Sequence, residues 1–358
     1  MNIRALLAST FTRIGIVIFW LVALGAFLWT PAFIRMFHRE RSLTIFTWPS
    51  ILDPIYLRQF EKETGIKLYI SYYESNQELL SKVKATGGKG YDIIMPSDYA
   101  LEKFVNDGLL QKIDRTKLSF FDQLNPHLMG NYFDPNGDYS LPFLWGVYGL
   151  GVNKNFFNGQ LPEPTWGLIF DKNKVPAHIG MTDESQEAVL LAAYYLFGTI
   201  DNVAQDPEKI ARIKELLIEQ KQWVEAYTET RSEYLLVSET TPLVVALSPD
   251  IYKVKQDHPY LEFIMPREGS FIFIDAIVIP ASTEKNDLIY EFLNFLYRKD
   301  VLDHHRKKFG FCSPLEEHDL KDDNYFCPTP DQFKKLDFFR NVVPQPVVND
   351  IWISVMSR

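Results

Sequence analysis

The stretch LTIFTWPSILDPIYLRQFEKETGIKLYISYYESNQELLSKVKATGGKGYDIIMPSDYALEKFVN, from Leu43 to Asn106, decides the fold class. Short apolar runs alternate in it with segments of helical periodicity, which predicts the order βαβαβα. Asp53-Pro54 is typical of a helix start and Gly65 of a helix end. Because strands joined through helices usually pair in parallel, we expect an α/β fold with a mainly parallel sheet. The predicted strands of this stretch are Leu43–Trp48, Ile66–Tyr73 and Tyr91–Met95.

The rest of the chain continues the alternation of strands and helices. A long strand is expected over Tyr139–Val152, after a turn at Pro135-Asn136-Gly137-Asp138. Helices are expected from Thr182 to about Phe197 and from Asp206 to about Tyr227. The remaining predicted elements are the strands Pro242–Leu247, Leu261–Met265 and Phe271–Ile279 and the helix Lys285–Arg298. At roughly 100–200 residues per domain, the length predicts two domains.

The composition is typical of a globular, acidic protein. Hydrophobic residues make up 46% of the 358 residues and charged residues 23%, and the formal net charge is −9. The first 41 residues contain five Arg and one Glu (+4), so the remainder has a charge of −13. A body with this charge repels nucleic acid and attracts cations, and no basic stripe with interleaved aromatic residues is present. Nucleic-acid binding is therefore excluded.

Two cysteines, Cys312 and Cys327, are all that the chain contains. They show no C-x-x-C or Cys/His spacing, which excludes a zinc site. Outside the cytoplasm the two residues are expected to form a disulfide. The alternative is two independent thiols, and the sequence alone does not decide between them because it does not give the geometry.

The amino-terminal segment, residues 1–41, has the features of a signal anchor. Ile14–Ile34 is a run of 21 residues without an ionisable side chain, which is long enough to span a membrane. The run is longer than the apolar core of a secretory signal, and no clear A-x-A site follows it. We therefore expect an uncleaved anchor, with a cleaved signal as the alternative. The flanking arginines do not settle the orientation.

Sequence motifs of catalysis and of cofactor binding are absent. Gly87-Gly88-Lys89-Gly90 lacks the spacing of a phosphate-binding loop, and neither G-x-S-x-G nor H-E-x-x-H occurs. His304 and His305 lie in a charged helical stretch and are expected on the surface rather than as ligands. We therefore expect a protein that is not an enzyme and needs no cofactor or metal.

Three carboxylates stand out because of their positions. Glu184 and Glu187 are three residues apart and share one face of a helix's first turn, although Asp183 with Gln186 also resembles a capping box. Asp275 lies inside the apolar run Phe271–Ile279, where an unpaired carboxylate is costly. It requires a bound cation or an internal partner, and both alternatives stay open.

At these residues the sequence resembles the spermidine/putrescine-binding proteins of bacterial polyamine ABC importers. The similarity extends from about Leu43 to Phe311 and is densest in the first third. The segments that resemble the family's motifs are Phe60–Lys67, Tyr73–Asn76, Tyr91–Ser97, Gln111–Asp114, Phe133–Asn136 and Asp138–Gly146, the last continuing to Asn153.

The resemblance implies a two-lobed, hinged type II periplasmic-binding-protein fold, in which a ligand binds between the lobes. One lobe would comprise residues 42–146 with about 277–311, and the other about 147–276 with 312–358. The chain would cross near Trp145–Gly151 and near Ile277–Pro280. The ligand-binding residues implied by the family's pattern are Trp48, Ser97, Tyr99, Glu184, Glu187, Asp250, Phe273, Asp275 and Phe311.

The resemblance further implies a periplasmic protein, monomeric, that delivers a polyamine to permease subunits in the inner membrane. Carboxylates would bind the ammonium groups and aromatic rings would contact the methylene chain. The sequence departs from the family where Trp48-Pro49-Ser50-Ile51 replaces Trp-Thr-Glu-Tyr, and where Leu247 and Phe273 replace Trp. These departures favour a diamine or another small cation over spermidine. A drifted receptor for a different metabolite, or an enzyme or structural anchor on the same fold, is the alternative.

Overall fold

The computed structural model describes Trp20 and residues 41–49, 51–175, 177–228, 231–315 and 326–357. None of the helices in these ranges combines the length and the hydropathy that a membrane crossing requires. The predicted anchor, Ile14–Ile34, lies outside the described residues except for Trp20.

The described ranges contain ten strands. Strands β1 to β5 are Ser42–Thr47, Lys67–Tyr72, Ile93–Ile94, Ser140–Asn153 and Ile179–Thr182. Strands β6 to β10 are Val224–Thr228, Leu243–Leu247, Leu261–Ile264, Ser270–Val278 and Leu336–Phe338.

Twelve α-helices accompany the strands in the same part of the chain. Helices α1 to α6 are Pro54–Thr64, Asn76–Thr86, Asp98–Asn106, Gly167–Phe170, Ser185–Phe197 and Pro207–Gln220. Helices α7 to α12 are Glu233–Val237, Ser248–Lys255, Asn286–Leu296, Lys299–Phe309, Pro330–Phe333 and Gln345–Met356. Short 3₁₀ turns lie at Arg115–Lys117, Phe121–Gln123, Pro126–Leu128 and Lys221–Trp223.

The strands form one mixed sheet with the order β2-β1-β3-β9-β4-β7-β5-β6. Strands β1, β2 and β3 pair in parallel, as the helical connections predict, and β5 pairs in parallel with β6 and β7. The expectation of a mainly parallel sheet was wrong for the centre, where β4 pairs antiparallel with β9, β7 and β8. Antiparallel pairs need no helical crossover, so the helix pattern did not reveal them.

Local signals account for the helix ends. Asp53 accepts a hydrogen bond from the backbone of Ile55 at the start of α1, and Gly65 ends the helix with a φ of 70°. The helix predicted to reach Tyr227 ends at Gln220 instead, and the strand Val224–Thr228 follows. Since that strand pairs with β5, tertiary pairing overrides the helical periodicity there.

The described residues form three hydrophobic cores, and two of them flank the centre of the sheet. The first packs β1 and β3 against α1, α9 and α10, around Phe60 and Phe292. The second packs β5 against α5, α6 and α12, around Leu190 and Leu217. Strands β4 and β9 contribute buried side chains to both cores, so these two strands connect them.

The carboxyl-terminal part of the chain returns to β9 and to the second core. A disulfide joins Cys312 and Cys327, whose Cα atoms lie 5.7 Å apart. The backbone N–H of Cys312 donates to the carbonyl of Trp145, 2.8 Å away, which holds residue 312 against β4. Beyond it, β10 pairs with β9 and α12 packs on α5 and α6.

His305 contradicts the expectation that both histidines are on the surface. The residue is 1% exposed, and its Nε2 accepts from the backbone of Asp53, 3.0 Å away. Burial lowers the pKa of His305. His304 and Lys308 both bond to Oδ2 of Asp53, at 2.6 and 2.7 Å. These bonds fix the start of α1 to helix α10, which ends just before Phe311.

Candidate functional site

Most of the predicted ligand-binding residues follow the carboxyl ends of strands or lie on β9, whereas Phe311 follows helix α10. Trp48 follows β1, Ser97 follows β3, and Glu184 follows β5. Ligands of α/β proteins bind at this end of parallel strands, because loops and helix starts converge there. Phe273 and Asp275 lie on β9, opposite Gly146 and Leu144 of β4.

Aromatic rings pack in two sets at this position, each in contact with the first hydrophobic core. Trp48 packs on Tyr73 with ring centroids 4.5 Å apart, and Phe273 lies 6.1 Å from Phe311 and 6.0 Å from Tyr148. A Cβ atom at Gly146 would lie 2.7 Å from the Phe273 ring, so only glycine lets this ring lie against β4. The structure therefore brings Trp48, Phe273 and Phe311 into one packed cluster.

Glu187 is bound by two hydroxyl groups. Tyr148 donates to its Oε1 from 2.6 Å and Thr182 donates to its Oε2 from 3.0 Å. Burial raises the pKa of Glu187 to about 7, an effect that the two hydrogen bonds oppose and the charge of Glu184 reinforces. The residue itself is only partly buried, so water still reaches it. Neither bonding partner is a cation, and the carboxylate can therefore accept a cationic ligand.

Glu184 is the N-cap residue of α5, and its backbone N–H donates to Oγ1 of Thr182, 3.2 Å away. The capping box considered for Asp183 and Gln186 was wrong, because α5 begins two residues after Asp183 and has no side-chain cap. The electrostatic influence of Glu184 on both Glu187 and the hydroxyl of Tyr148 places the three residues together.

Asp275 is 6% exposed and lies at the centre of the sheet. Its backbone forms an isolated β-bridge with that of Ser97. The charge of its carboxylate contributes to the raised pKa of the Tyr73 hydroxyl, for which burial is the main cause. Burial raises the pKa of Asp275 to about 7, and the charge of Lys253 opposes that shift. Within the described residues no arginine contacts this carboxylate, and it makes no side-chain hydrogen bond or ion pair.

Asp98 is a candidate that the sequence reasoning missed. It is 4% exposed, opens helix α3 directly after Ser97, and acts electrostatically on the hydroxyl of Tyr148. Ser97 itself donates to Oδ1 of Asn76 at 2.8 Å. Asp98 stands in the run Pro96-Ser97-Asp98-Tyr99, but the family's pattern assigns a ligand-binding role only to the serine and the tyrosine of that run. The side chain of Tyr99 lies outside the description, so its predicted role stays a prediction.

Asp250 lies in the first turn of α8 and forms an ion pair with Lys253, with Nζ 3.1 Å from Oδ1. Leu247, which stands where the family has Trp, is the N-cap of the same helix and packs with the aromatic cluster. Glu233, at the start of α7, was also missed. It is 7% exposed, and within the described ranges its Oε2 has no hydrogen-bond partner.

The described residues therefore bring Trp48, Ser97, Glu184, Glu187, Phe273, Asp275 and Phe311 into one neighbourhood, with Asp250 beside it. They contain no group of three or more His, Cys, Asp or Glu side chains that is arranged to hold a metal ion. Acids and aromatic rings without an adjacent nucleophile–base pair are suited to binding a cation by charge and by ring contact.

The chain matches the model of a protein family described as "Bacterial extracellular solute-binding protein" over residues 56–324. It is 30% identical to the spermidine/putrescine-binding periplasmic protein of Salmonella typhimurium, over 76% of this chain and 77% of that protein. It is 27% identical to the putrescine-binding periplasmic protein SpuD of Pseudomonas aeruginosa, over 89% and 92% of the two chains.

Two solved structures have the same fold. The spermidine/putrescine ABC transporter substrate-binding protein PotD of Streptococcus pneumoniae superposes with a TM-score of 0.77 at 23% identity, over 88% of this chain and 99% of the other. A putative spermidine/putrescine ABC transporter from Listeria monocytogenes superposes with a TM-score of 0.74 at 26% identity, over 89% and 100%. The architecture described above is thus an α/β periplasmic-binding-protein fold.

Proposed function

Since the chain belongs to the bacterial extracellular solute-binding protein family, alongside the spermidine/putrescine-binding periplasmic proteins, we propose that it is the polyamine receptor of an ABC importer. The resemblance recognised in the motifs is confirmed at the level of the family. This family binds solutes and is not a family of enzymes. The ligand we propose is a short linear polyamine, of which putrescine is the reference compound.

The observation that supports this ligand is the isolation of Asp275. This carboxylate is 6% exposed and, within the described residues, has no hydrogen bond or ion pair. Leaving a buried carboxylate ionised without a partner is unfavourable, and a bound ammonium removes that cost. Trp48, Phe273 and Phe311 lie nearby with apolar faces for a methylene chain. A charge-assisted hydrogen bond to the ammonium contributes about 1.5–3 kcal/mol.

Glu187 supplies the second acid of the proposed site. It lies on α5 and is tied by Tyr148 to strand β4. In the proposal one ammonium of the ligand binds Asp275 and the other binds Glu187, with support from Asp98 and Glu184. In the proposal Ser97 lines the same cleft, and Asp250 lies at its rim.

The proposed site lies between two lobes that close around the ligand. In the proposal, one lobe comprises residues 42–146 with about 277–311 and holds most of the first core, and the other comprises about 147–276 with 312–358 and holds the second. The connections run through β4 and β9, which are shared by both cores. Because β4 and β9 are long and β-strands can twist, these two strands are suited to act as a hinge.

The family is extracytoplasmic, and a disulfide such as Cys312–Cys327 is compatible with that environment. We further propose that Ile14–Ile34 is retained as an anchor in the inner membrane, where the receptor delivers its ligand to permease subunits. Carbonate extraction of membranes tests the anchor. The full chain should stay in the membrane pellet with its first residues detectable, and release of a shortened chain would instead indicate a cleaved signal.

Calorimetric titration of the purified body with putrescine, cadaverine and spermidine tests the ligand. We expect saturable binding, weakened about 10- to 100-fold in Asp275→Asn, because the ammonium loses a charged acceptor. Asp331→Asn is the matched control, since it removes the same charge from a side chain that is 91% exposed and ion-paired to Lys334. It should bind like the wild type.

Absence of binding to every di- and polyamine would refute the ligand assignment while leaving the family membership intact. The second candidate is a receptor for a different small cation, which Leu247 and Pro49-Ser50-Ile51 favour because they remove an indole and a carboxylate from the family's site. In that case a panel of other cationic metabolites gives the saturable binding, with the same loss in Asp275→Asn.

A further inference from the structure

Lys253 places a fixed positive charge at the edge of the cleft. It follows Asp250 by one turn of α8, and the two side chains form an ion pair of 3.1 Å. Helix α8 begins at Ser248. The hydroxyl of Ser248 would lie 3.1 Å from a Cβ atom added at Gly146, and the Phe273 ring covers the same glycine. The lysine is therefore carried by an element that starts against the two central strands.

Two further acids respond to this ammonium. Its charge opposes the upward shift that burial imposes on the pKa of Asp275 and of Glu233. Glu233 is 7% exposed and has one oxygen without a partner among the residues that the structure describes, and Asp250 acts on it as a like charge. Lys253 thus pairs with Asp250 and acts electrostatically on Glu233 and Asp275, and Arg231 acts on Glu233 as well. An acidic surrounding of this kind is where an ammonium of a polyamine would otherwise bind.

The surroundings of Glu187 differ from those of Asp250. Glu187 receives its hydrogen bonds from the hydroxyl groups of Tyr148 and Thr182, and the charges that act on its carboxylate come from Glu184 and Asp183. None of the strongest influences on the pKa of Glu187 comes from a basic residue. Glu187 is therefore open to a ligand cation, whereas Asp250 already has a lysine beside it.

We propose that Lys253 determines ligand specificity, its ammonium taking the place of a third ligand ammonium beside Asp250 and Glu233. The inference rests on the proposed function and makes it more specific. A diamine spans Glu187 and Asp275, and a longer polyamine meets Lys253 and is repelled. The lysine side chain is 40% exposed, so the repulsion acts at the cleft rim, where the extra length of a triamine would lie.

The affinity ratio of putrescine and spermidine tests the proposal. In Lys253→Met the ratio should shift about tenfold or more towards spermidine, because like-charge repulsion is removed and two acids become available. Lys255→Met is the matched control. It changes the same helix by the same charge, and Lys255 pairs instead with Glu262 at 2.5 Å. This variant should keep the wild-type ratio.

Equal changes of both affinities in Lys253→Met, or a shift towards putrescine, would overturn the proposal and leave the polyamine receptor intact. That outcome would make the Lys253–Asp250 contact an ordinary surface ion pair. If the wild type and Lys255→Met bind no polyamine at all, the proposed function fails, and a second measurement still decides the role of the lysine.

The second measurement uses propylammonium, which corresponds to the part of the lysine side chain that Lys253→Ala removes. We expect it to raise the thermal transition of Lys253→Ala in a saturable way, with a smaller or no effect on the wild type and on Lys255→Ala. Equal responses of the three proteins would contradict a cation subsite at this position.

Discussion

Tyr148 on the central strand β4 donates its hydroxyl to Glu187 on helix α5, with an O–O distance of 2.6 Å. The strand is shared by both hydrophobic cores, and the helix belongs to the second. The carboxylate that we propose as a ligand acceptor is therefore fixed directly to one of the two connections between the cores. In the proposed receptor, any change in its charge acts on a strand that adjusts when the lobes close.

Removing this hydroxyl in Tyr148→Phe should weaken ligand binding. The hydrogen bond lowers the pKa of Glu187, which burial has raised to about 7, so its loss raises that pKa further and leaves less of the charged form at neutral pH. We expect affinity to fall about tenfold at pH 7 and to recover partly by pH 9. Calorimetric titration at both pH values measures this.

Tyr195→Phe is the control for that variant. Tyr195 is on the same helix, and its ring stacks on Phe170, a contact that phenylalanine keeps. Its affinity should equal that of the wild type. A loss in Tyr148→Phe that is the same at pH 7 and pH 9 would show that the hydroxyl acts through packing and not through the charge of Glu187.

Ligand binding should release protons between pH 6 and pH 8. Glu187 and Asp275 both have a pKa of about 7 because burial disfavours their charged forms, and an ammonium ligand favours those forms. Lowering the pH from 8 to 6 should therefore weaken binding by about tenfold for each carboxylate that must lose its proton. Calorimetry in buffers of different ionisation enthalpy counts the protons, and Asp275→Asn should release fewer of them. A pH-independent affinity with no proton release would contradict the expectation.

Glu187→Gln should stabilise the ligand-free protein at pH 8 although it weakens binding. Burial raises the pKa of Glu187 from 4.5 to about 7, so the folded state binds the proton more tightly than the unfolded state. The stability that protonation supplies is complete below pH 4.5 and is lost as the pH rises through 7. Because water reaches this partly buried residue, we expect a gain of about 2 kcal/mol at pH 8, less than the full shift implies, and none at pH 4.

Thermal unfolding at the two pH values measures that effect. Glu219→Gln, on an exposed position of α6, is the control and should show no pH-dependent gain. A variant Glu187→Gln that is less stable than the wild type at pH 8 would mean that the amide does not satisfy the hydroxyl groups of Tyr148 and Thr182.

The disulfide should contribute to the stability of the folded body. It closes a loop with a sequence separation of 15 residues, for which chain entropy suggests about 3 kcal/mol. We expect the double variant Cys312→Ser/Cys327→Ser to lower the free energy of unfolding by about 2–3 kcal/mol in urea titrations. Dithiothreitol should lower the stability of the wild type and leave the variant unchanged. Equal stability of both proteins under oxidising conditions would contradict this contribution.

Local sequence signals predicted much of the fold. Asp53, Pro54 and Gly65 delimit α1 as expected, because caps depend on neighbouring residues. The strand at Val224–Thr228 was not predicted, since its pairing with β5 joins residues more than forty positions apart. The short helix that carries Glu233 was missed for a similar reason. Five residues give too little periodicity to detect, and packing maintains the helix.

The sequence by itself determined the family, the strand–helix alternation and the positions of Asp275 and Glu187, since motifs and apolar patterns are read along the chain. Only the tertiary structure decided which acids share an environment. It places Asp98 with Tyr148 and Glu187, and Lys253 with Asp275 and Glu233, pairs that are far apart in the chain. Burial and Coulomb interactions depend on distances in space, and the order of the residues does not contain those distances.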